Sequence, residues 1–282
     1  IYSKEDKYAL FRTKADESYL IGESKGPIEA YLGIEDIVQL ALRKGADAIH
    51  PGYGFLSENP MFAKRCEDAG LVFLGPKSYM IESLGDKIKS KSLAKKAGVP
   101  TIPGSEAPLK NEKEAMEFAK ACGYPIMLKA AAGGGGRGMR VVHDEKDMIN
   151  AFRSARNEAK KAFGIDDIFI EKYLEDPKHI EVQVLGDIHG NIVHLYERDC
   201  SIQRRHQKIV EFAPAITISK EIRDSICRDA LKTAGALKYE SAGTVEFLVD
   251  KNQNHYFIEM NPRIQVEHTV SEMITGIDIV QS

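Results

Sequence analysis

Several things are scarce in this chain, and each scarcity removes a class of function. The net charge is only -3, which argues against broad non-specific binding to nucleic acid and leaves room for no more than a local basic pocket. No apolar run approaches the roughly 20 residues that a membrane helix needs, so no membrane partner is expected. Only 4 cysteines occur, Cys66, Cys122, Cys200 and Cys227, scattered without metal-ligand spacing. Reduced thiols are the expectation, in a cytoplasm or in a mitochondrial matrix after removal of a transit peptide. The opening Ile1-Tyr-Ser-Lys-Glu-Asp turns polar after two residues and has no signal-peptide character. The first residue is not methionine, and the chain starts inside an element, as a piece of a longer polypeptide would. Against these absences stand 282 residues, 43% of them hydrophobic and 29% charged. That is enough for a substantial core in one large domain or two ordinary ones.

The first ~80 residues read as α/β, with strands alternating with helices as in a parallel sheet with crossovers. Residues 34–44 carry apolar positions at helical spacing and end at Gly45; residues 59–69 form a second helix ended by Gly70. Strands are expected at 46–50 and 71–76. A lysine-rich helix over about 77–98 marks a change of texture, with a domain boundary near Ser83. Beyond it come helices at 112–122, 144–162 and 219–237. Strands are expected at 125–131, 139–143, 168–173, 179–185, 191–198, 243–249 and 255–260.

Three stretches carry chemistry. From Ile258 to Val266 the chain alternates, with Glu259, Asn261, Arg263, Gln265 and Glu267 on one side of an extended backbone. A solvent-facing strand and a site holding a metal, an anion and a proton acceptor both fit this pattern. If a four-residue turn, 251–254, joins the last two strands, Glu246 lies opposite Glu259. Facing carboxylates repel unless something positive sits between them. A magnesium ion, with Asn261 adding an oxygen, is the natural candidate beside substrate phosphates. The run Gly133-Gly-Gly-Gly-Arg-Gly138 formally matches the dinucleotide pattern. A strand follows it rather than a helix, and no Gly-Lys-Ser/Thr closes it, so both the Rossmann and Walker readings fail. A hairpin tip remains, either a plain turn or a phosphate-binding loop served by Lys129. Finally, the segment Glu197 to Lys208 is densely polar, which usually means a solvated surface. Next to a nucleotide site its cations would neutralise phosphate or carbonate charge.

Together these pieces resemble the biotin carboxylases of the ATP-grasp superfamily. The resemblance rests on Lys129 with the glycine loop, Glu171-Lys-Tyr-Leu174, Glu197-Arg-Asp-Cys-Ser-Ile-Gln-Arg-Arg-His-Gln-Lys208, Glu259-Met-Asn-Pro-Arg-Ile-Gln-Val-Glu-His268 and His50-Pro-Gly-Tyr-Gly-Phe-Leu-Ser-Glu58. It covers essentially the whole chain. Two stretches, Lys14 to Gly22 and His194 to Gln203, lean toward the branch that serves pyruvate rather than acyl-CoA.

The resemblance implies an α/β (α+β) fold. Residues 1–82 would form a Rossmann-like parallel-sheet domain lacking its first strand and helix. Residues 83–282 would form an ATP-grasp domain whose glycine-loop lid spans about 101–174, with a C-terminal domain missing. It also implies the chemistry: ATP, magnesium (or manganese) and bicarbonate give carboxyphosphate, which carboxylates biotin borne on a carrier domain. A carboxyltransferase domain would follow in the same polypeptide or complex, and the parent would be a homo-oligomer. By matching motif, Lys87, Lys129 and His206 resemble nucleotide-phosphate contacts, and Gly135 and Gly136 the closing loop. Glu171, Lys172 and Leu174 resemble the adenine hinge, His179 and Gln203 the ribose contacts, and Leu248 an apolar wall. Glu246, Glu259 and Asn261 resemble the magnesium ligands. Lys208, Arg263, Gln265 and the Val266 backbone resemble the bicarbonate cradle, with Glu267 as the base. The other readings are an ATP-grasp ligase acting on an amino acid or purine intermediate, and a nucleotide-binding module without turnover. Cys200 reads as a buried structural thiol. Because part of the adenine pocket and a further arginine lie downstream in the family, these 282 residues alone are expected to be a weak or dead catalyst. An assay of bicarbonate-dependent ATPase activity with free biotin checks this; turnover close to that of an intact domain would contradict it.

Overall fold

A computed structural model describes residues 1–131, 138–205 and 207–282. The helices are α1 (Pro27–Tyr31), α2 (Ile34–Lys44), α3 (Pro60–Asp68), α4 (Ser78–Gly85), α5 (Lys87–Lys96), α6 (Glu112–Cys122), α7 (Glu145–Phe163), α8 (Lys220–Ala236) and α9 (His268–Thr275). The strands are β1 (Ala48–Ile49), β2 (Val72–Phe73), β3 (Ile126–Ala130), β4 (Met139–Val142), β5 (Ile168–Lys172), β6 (Lys178–Gly186), β7 (Ile192–Arg204), β8 (Gln207–Phe212), β9 (Ser241–Val249) and β10 (His255–Asn261).

Helix ends follow local chemistry. Gly45 takes the left-handed conformation that closes α2, at φ 68°. Asn59 accepts a hydrogen bond from the Phe62 amide at the start of α3. The lysine-rich stretch is two helices rather than one. Asp86 leaves the helical region (φ -87°, ψ 107°) and accepts from the Ile88 and Lys89 amides, so it starts α5 afresh.

Strands β1 and β2 pair in parallel under α2 and α3, the layered arrangement that alternating elements predict, though each strand is only two residues long. Two antiparallel sheets follow. One has the order β4-β3-β5 and packs against α6 and α7 around Ile126, Leu128, Phe152, Ile168 and Ile170. The other has the order β10-β9-β6-β7-β8. Its inner face, with Ile180, Val182, Val184, Val245, Phe247 and Phe257, packs on α8 and on Met80, Leu84 and Ala94 of α4 and α5. Strand β8 lies in the polar segment that sequence alone reads as surface. There β7 runs on to Arg204 and the chain returns antiparallel, with Gln203 opposite Lys208.

The last hairpin reaches its register by a different route from the expected one. Val249 pairs with His255, so the turn is five residues long, closed by Asp250 accepting from the Asn252 and Asn254 amides. A β-bulge at Ile258 then shifts the ladder by one, so that Phe257 faces Phe247 while Glu259 faces Glu246. Without the bulge, Phe257 and Glu259 would share a face; with it, the ring enters the core and the carboxylate points away from it.

Phe247 is fully buried, with its ring edge-on to Phe257 at 6.3 Å. Phe247→Ala is expected to cost about 3–5 kcal/mol in urea unfolding, against less than about 0.5 kcal/mol for Ile188→Ala on the β6–β7 turn.

Candidate active site on the polar face of the five-stranded sheet

Register places four charged residues in one row across adjacent strands. Arg198 on β7 pairs with Glu181 on β6, Glu181 with Glu246 on β9, and Glu246 with Glu259 on β10. The flanking row holds Gln183, Thr244 and Asn261, and on the other side His179 pairs with Leu248. Three carboxylates directly opposite one another repel, so the row persists only with cations interposed.

Two cations are built in, Arg198 fully buried and Lys208 half-buried. Arg198, fully buried, donates from Nε to Glu181 Oε1 (2.6 Å), from Nη1 to Gln183 Oε1 (2.9 Å) and Ser271 Oγ (2.8 Å), and from Nη2 to Gln265 Oε1 (3.2 Å). Lys208 donates to Glu246 Oε1 (2.9 Å), to Glu267 Oε1 (2.9 Å) and to the second oxygen of Glu181. An ammonium has three protons, and Lys208 spends all three on carboxylates. Burial works against its charge, but Glu246 and Glu181 more than offset that and hold its pKa above the ordinary lysine value.

Glu246 is saturated with donors. Besides Lys208, its Oε1 accepts from Asn261 Nδ2 (2.8 Å) and Gln265 Nε2 (3.1 Å), and its Oε2 meets His179 Nε2 at 2.8 Å. Burial alone would raise its pKa; His179 and Lys208 outweigh that and keep it ionised. The Glu259 carboxyl is instead pushed up, by burial and then by the charge of Glu246, with Lys87 pulling the other way. Among the described residues no cation is hydrogen-bonded to Glu259, and a divalent cation there would favour its ionised form. Asn261 turns its Nδ2 to Glu246, which leaves its Oδ1 as the atom that could serve a cation. For Glu267, burial raises the pKa, but the hydrogen bond and charge of Lys208 hold it below the usual carboxylate range.

The remaining residues singled out from the sequence divide between this sheet and the three-stranded one. Gln203 Nε2 lies 3.1 Å from His179 Nδ1. Lys129 and Lys91 both pair with Glu171, Lys91 at 3.1 Å. Lys172 donates to the Gly123 and Tyr124 carbonyls. Leu174 and Leu248 are half-buried, and Val266 is exposed. Arg263 pairs with Glu58 at 3.3 Å, tying the loop after β10 to the N-terminal layer. Gly135, Gly136 and His206 lie outside the described residues. Strand β10 ends at Asn261, so Arg263, Gln265 and Glu267 sit on a loop leading into α9 and not on one continuous extended face.

Two corrections concern charge. Arg198 belongs to the segment read as a solvated surface or a phosphate-neutralising patch, yet it is wholly consumed inside the protein. Glu181 was not singled out at all. The signal was present in His179-Ile-Glu-Val-Gln-Val184, whose alternation puts His179, Glu181 and Gln183 on the site face.

Cys200 is buried, as expected of a structural thiol, and burial raises its pKa far beyond the ordinary thiol range. Burial also pushes Cys227 up to about 12 and Cys66 to about 11. Cys122 is the one thiol among the four that keeps partial exposure. Alkylation at pH 8 followed by mass spectrometry should therefore modify Cys122 first, with Cys200 protected until the protein unfolds.

Comparison with known proteins agrees with this geometry. Residues 86–282 match the carbamoyl-phosphate synthase L chain, ATP-binding domain family, and residues 1–81 match the biotin carboxylase N-terminal domain family. Pyruvate carboxylase of Bacillus subtilis (strain 168) is 57% identical over 282 residues, covering 100% of this chain and 24% of the relative. The chain therefore spans about a quarter of the length of the curated relatives it matches. Among solved structures, a biotin carboxylase from Campylobacter jejuni in complex with β-γ-ATP superposes with a TM-score of 0.92 at 52% identity, covering 99% of this chain and 63% of the other. The biotin carboxylase domain dimer of Hydrogenobacter thermophilus 2-oxoglutarate carboxylase, with MgADP, ADP and bicarbonate, superposes with a TM-score of 0.90 at 54% identity, covering 99% and 61%. With both family matches and these relatives, the chain belongs to the biotin carboxylases of the ATP-grasp superfamily.

Proposed function

We propose that this chain carries the biotin carboxylase half-reaction of a pyruvate carboxylase: MgATP-dependent carboxylation of carrier-linked biotin by bicarbonate, feeding pyruvate to oxaloacetate. The observation that carries the reading is the carboxylate row Glu181–Glu246–Glu259, in which Glu259 has no hydrogen-bonded cation among the described residues, bordered by Lys208 and Glu267. Its setting would be a cytoplasm or a mitochondrial matrix. The boundary near Ser83 would separate the N-terminal layer from the ATP-grasp part, with residues 101–174 as the lid.

Glu246, Glu259 and Asn261 would hold magnesium, which when bound screens nucleotide phosphate charge. Lys87, Lys129 and His206 would contact the phosphates, under Gly135 and Gly136. Glu171, Lys172, Leu174, His179, Gln203 and Leu248 would receive the adenosine. Biotin, on a carrier domain, supplies the nitrogen that accepts the carboxyl group. This chain's own residues bind and deprotonate bicarbonate. Arg263, with its planar donors, the donor end of Gln265 and the Val266 backbone would hold the anion, with Lys208 turning one proton from a carboxylate to it. Glu267, ionised through its contact with Lys208, would take the proton, which turns a poor nucleophile into one able to attack the γ-phosphate.

In the full-length parent protein, Glu267→Gln should lower bicarbonate-stimulated ADP formation about 10²–10⁴-fold while leaving nucleotide binding by calorimetry within about twofold. Because Lys208 keeps Glu267 ionised below the usual carboxylate range, the wild-type rate should show no acid limb above about pH 5. An acid limb centred near pH 6–7 that vanishes in Glu267→Gln would contradict this. Acceptor choice is read from product: oxaloacetate from pyruvate supports the proposal, and turnover only with 2-oxoglutarate or an acyl-CoA refutes the pyruvate assignment.

A further inference from the structure

Gln265 is half of an orientation problem. An amide side chain offers an acceptor at one end and a donor at the other, and an anion is served only by the donor. Here Arg198 Nη2 donates to Gln265 Oε1 at 3.2 Å, and Gln265 Nε2 consequently faces Glu246 at 3.1 Å on the site side. A guanidinium has no acceptor, so it can face only the oxygen of the amide; the flipped orientation would set N–H against N–H. Gln265 is itself 4% exposed, so water cannot serve as an alternative partner to let it turn.

The same guanidinium addresses the other wall of the cradle. By taking Glu181 Oε1 with Nε at 2.6 Å, it leaves Oε2 for the Lys208 ammonium. It also donates to Gln183 Oε1, whose Nε2 then reaches the Gly243 carbonyl at 3.0 Å, and to Ser271 Oγ on α9. Its contact to Thr244 Oγ1 is long, at 3.5 Å. One side chain from β7 thereby ties together β6, the loop after β10 and α9.

We infer that Arg198 is a positioning residue for the anion, fixing the donor end of Gln265 toward the site and reserving one oxygen of Glu181 for Lys208. Its hydrogen bonds go to protein acceptors: Glu181, Gln183, Ser271, Thr244 and Gln265. The inference rests on the bicarbonate reading of Gln265 and Lys208. Lysine cannot replace Arg198: a single ammonium keeps the charge but cannot span acceptors on three elements.

The test uses the full-length parent protein and steady-state kinetics with bicarbonate and ATP varied separately. Arg198→Lys should raise the KM for bicarbonate about tenfold, as loss of an oriented hydrogen bond to a charged group does, with the KM for ATP within about twofold. In a Gln265→Ala background, Arg198→Lys should raise the bicarbonate KM by clearly less than about tenfold, because the amide it orients is gone and only its hold on Glu181 remains. A merely structural role would move both KM values together, or multiply onto Gln265→Ala, and either result overturns the inference. If Arg198→Lys does not accumulate folded, Gln265→Glu decides. Arg198 can donate to one oxygen of the new carboxylate, while the other replaces the donor that faces Glu246, so the bicarbonate KM should rise with the KM for ATP within about twofold. An unchanged bicarbonate KM overturns the inference. Wild type without any bicarbonate-stimulated ADP formation brings down the functional reading and this inference together; stimulation with an unchanged bicarbonate KM in Arg198→Lys brings down the inference alone.

Discussion

Three glutamates on neighbouring strands, Glu181, Glu246 and Glu259, stand side by side on one face of a sheet, and the geometry of the site follows from what keeps them there. Left alone, such a row would drive its strands apart. Arg198 and Lys208 hold it from within the protein. Taking ions out of water is costly, and the cost is recovered only where each charge is both paired and hydrogen-bonded. That condition is met at Glu246, which receives Lys208, His179, Asn261 and Gln265, and at Glu181, which receives Arg198 and Lys208. Among the described residues it is not met at Glu259, whose carboxyl is pushed up by burial and by the neighbouring Glu246.

Backbone irregularity delivers these side chains to one face. The bulge at Ile258 reverses the parity of β10, sending Phe257 into the core and Glu259 to the site. On β7 a register shift lies between the pairs at Val182 and Val184, and Tyr196 there takes φ 62°. Beyond Asn261 the ladder stops at Pro262, which has no amide proton to offer a neighbouring strand. The residues proposed for the anion therefore hang on a loop, fixed from below by Arg198 and at its end by α9.

Much of this was legible in the chain. Helix limits at Gly45, Gly70 and residues 112–122 follow from periodicity and end signals. The antiparallel hairpins and the facing of Glu246 and Glu259 follow from alternation and turn spacing. The facing was reached for an incomplete reason, since a five-residue turn and a bulge together produce the register that a four-residue turn would have produced alone. Sequence patterns of charge were less faithful. Arg198 sits among Glu197, Asp199, Arg204, Arg205 and Lys208, and nothing local distinguishes a buried arginine from a solvated one; only cross-strand neighbours do. Strand β8 was hidden for the same reason, because polar residues on an edge strand look like a loop. The break at Asp86 went unseen because lysines on both sides favour helix, and a capping aspartate inside such a run is a weak signal beside them.

The central claim is that the cations and carboxylates act as one unit. A double-mutant cycle on Lys208 and Glu246 tests it most directly, with Lys208→Met, Glu246→Gln and the pair compared by chemical denaturation. Either single change should strand its partner and cost about 3–5 kcal/mol. The pair should cost clearly less than the sum, with a coupling of about 2 kcal/mol or more. Costs that add to within about 0.5 kcal/mol would mean that the two residues are independent, and the account of the carboxylate row would fail.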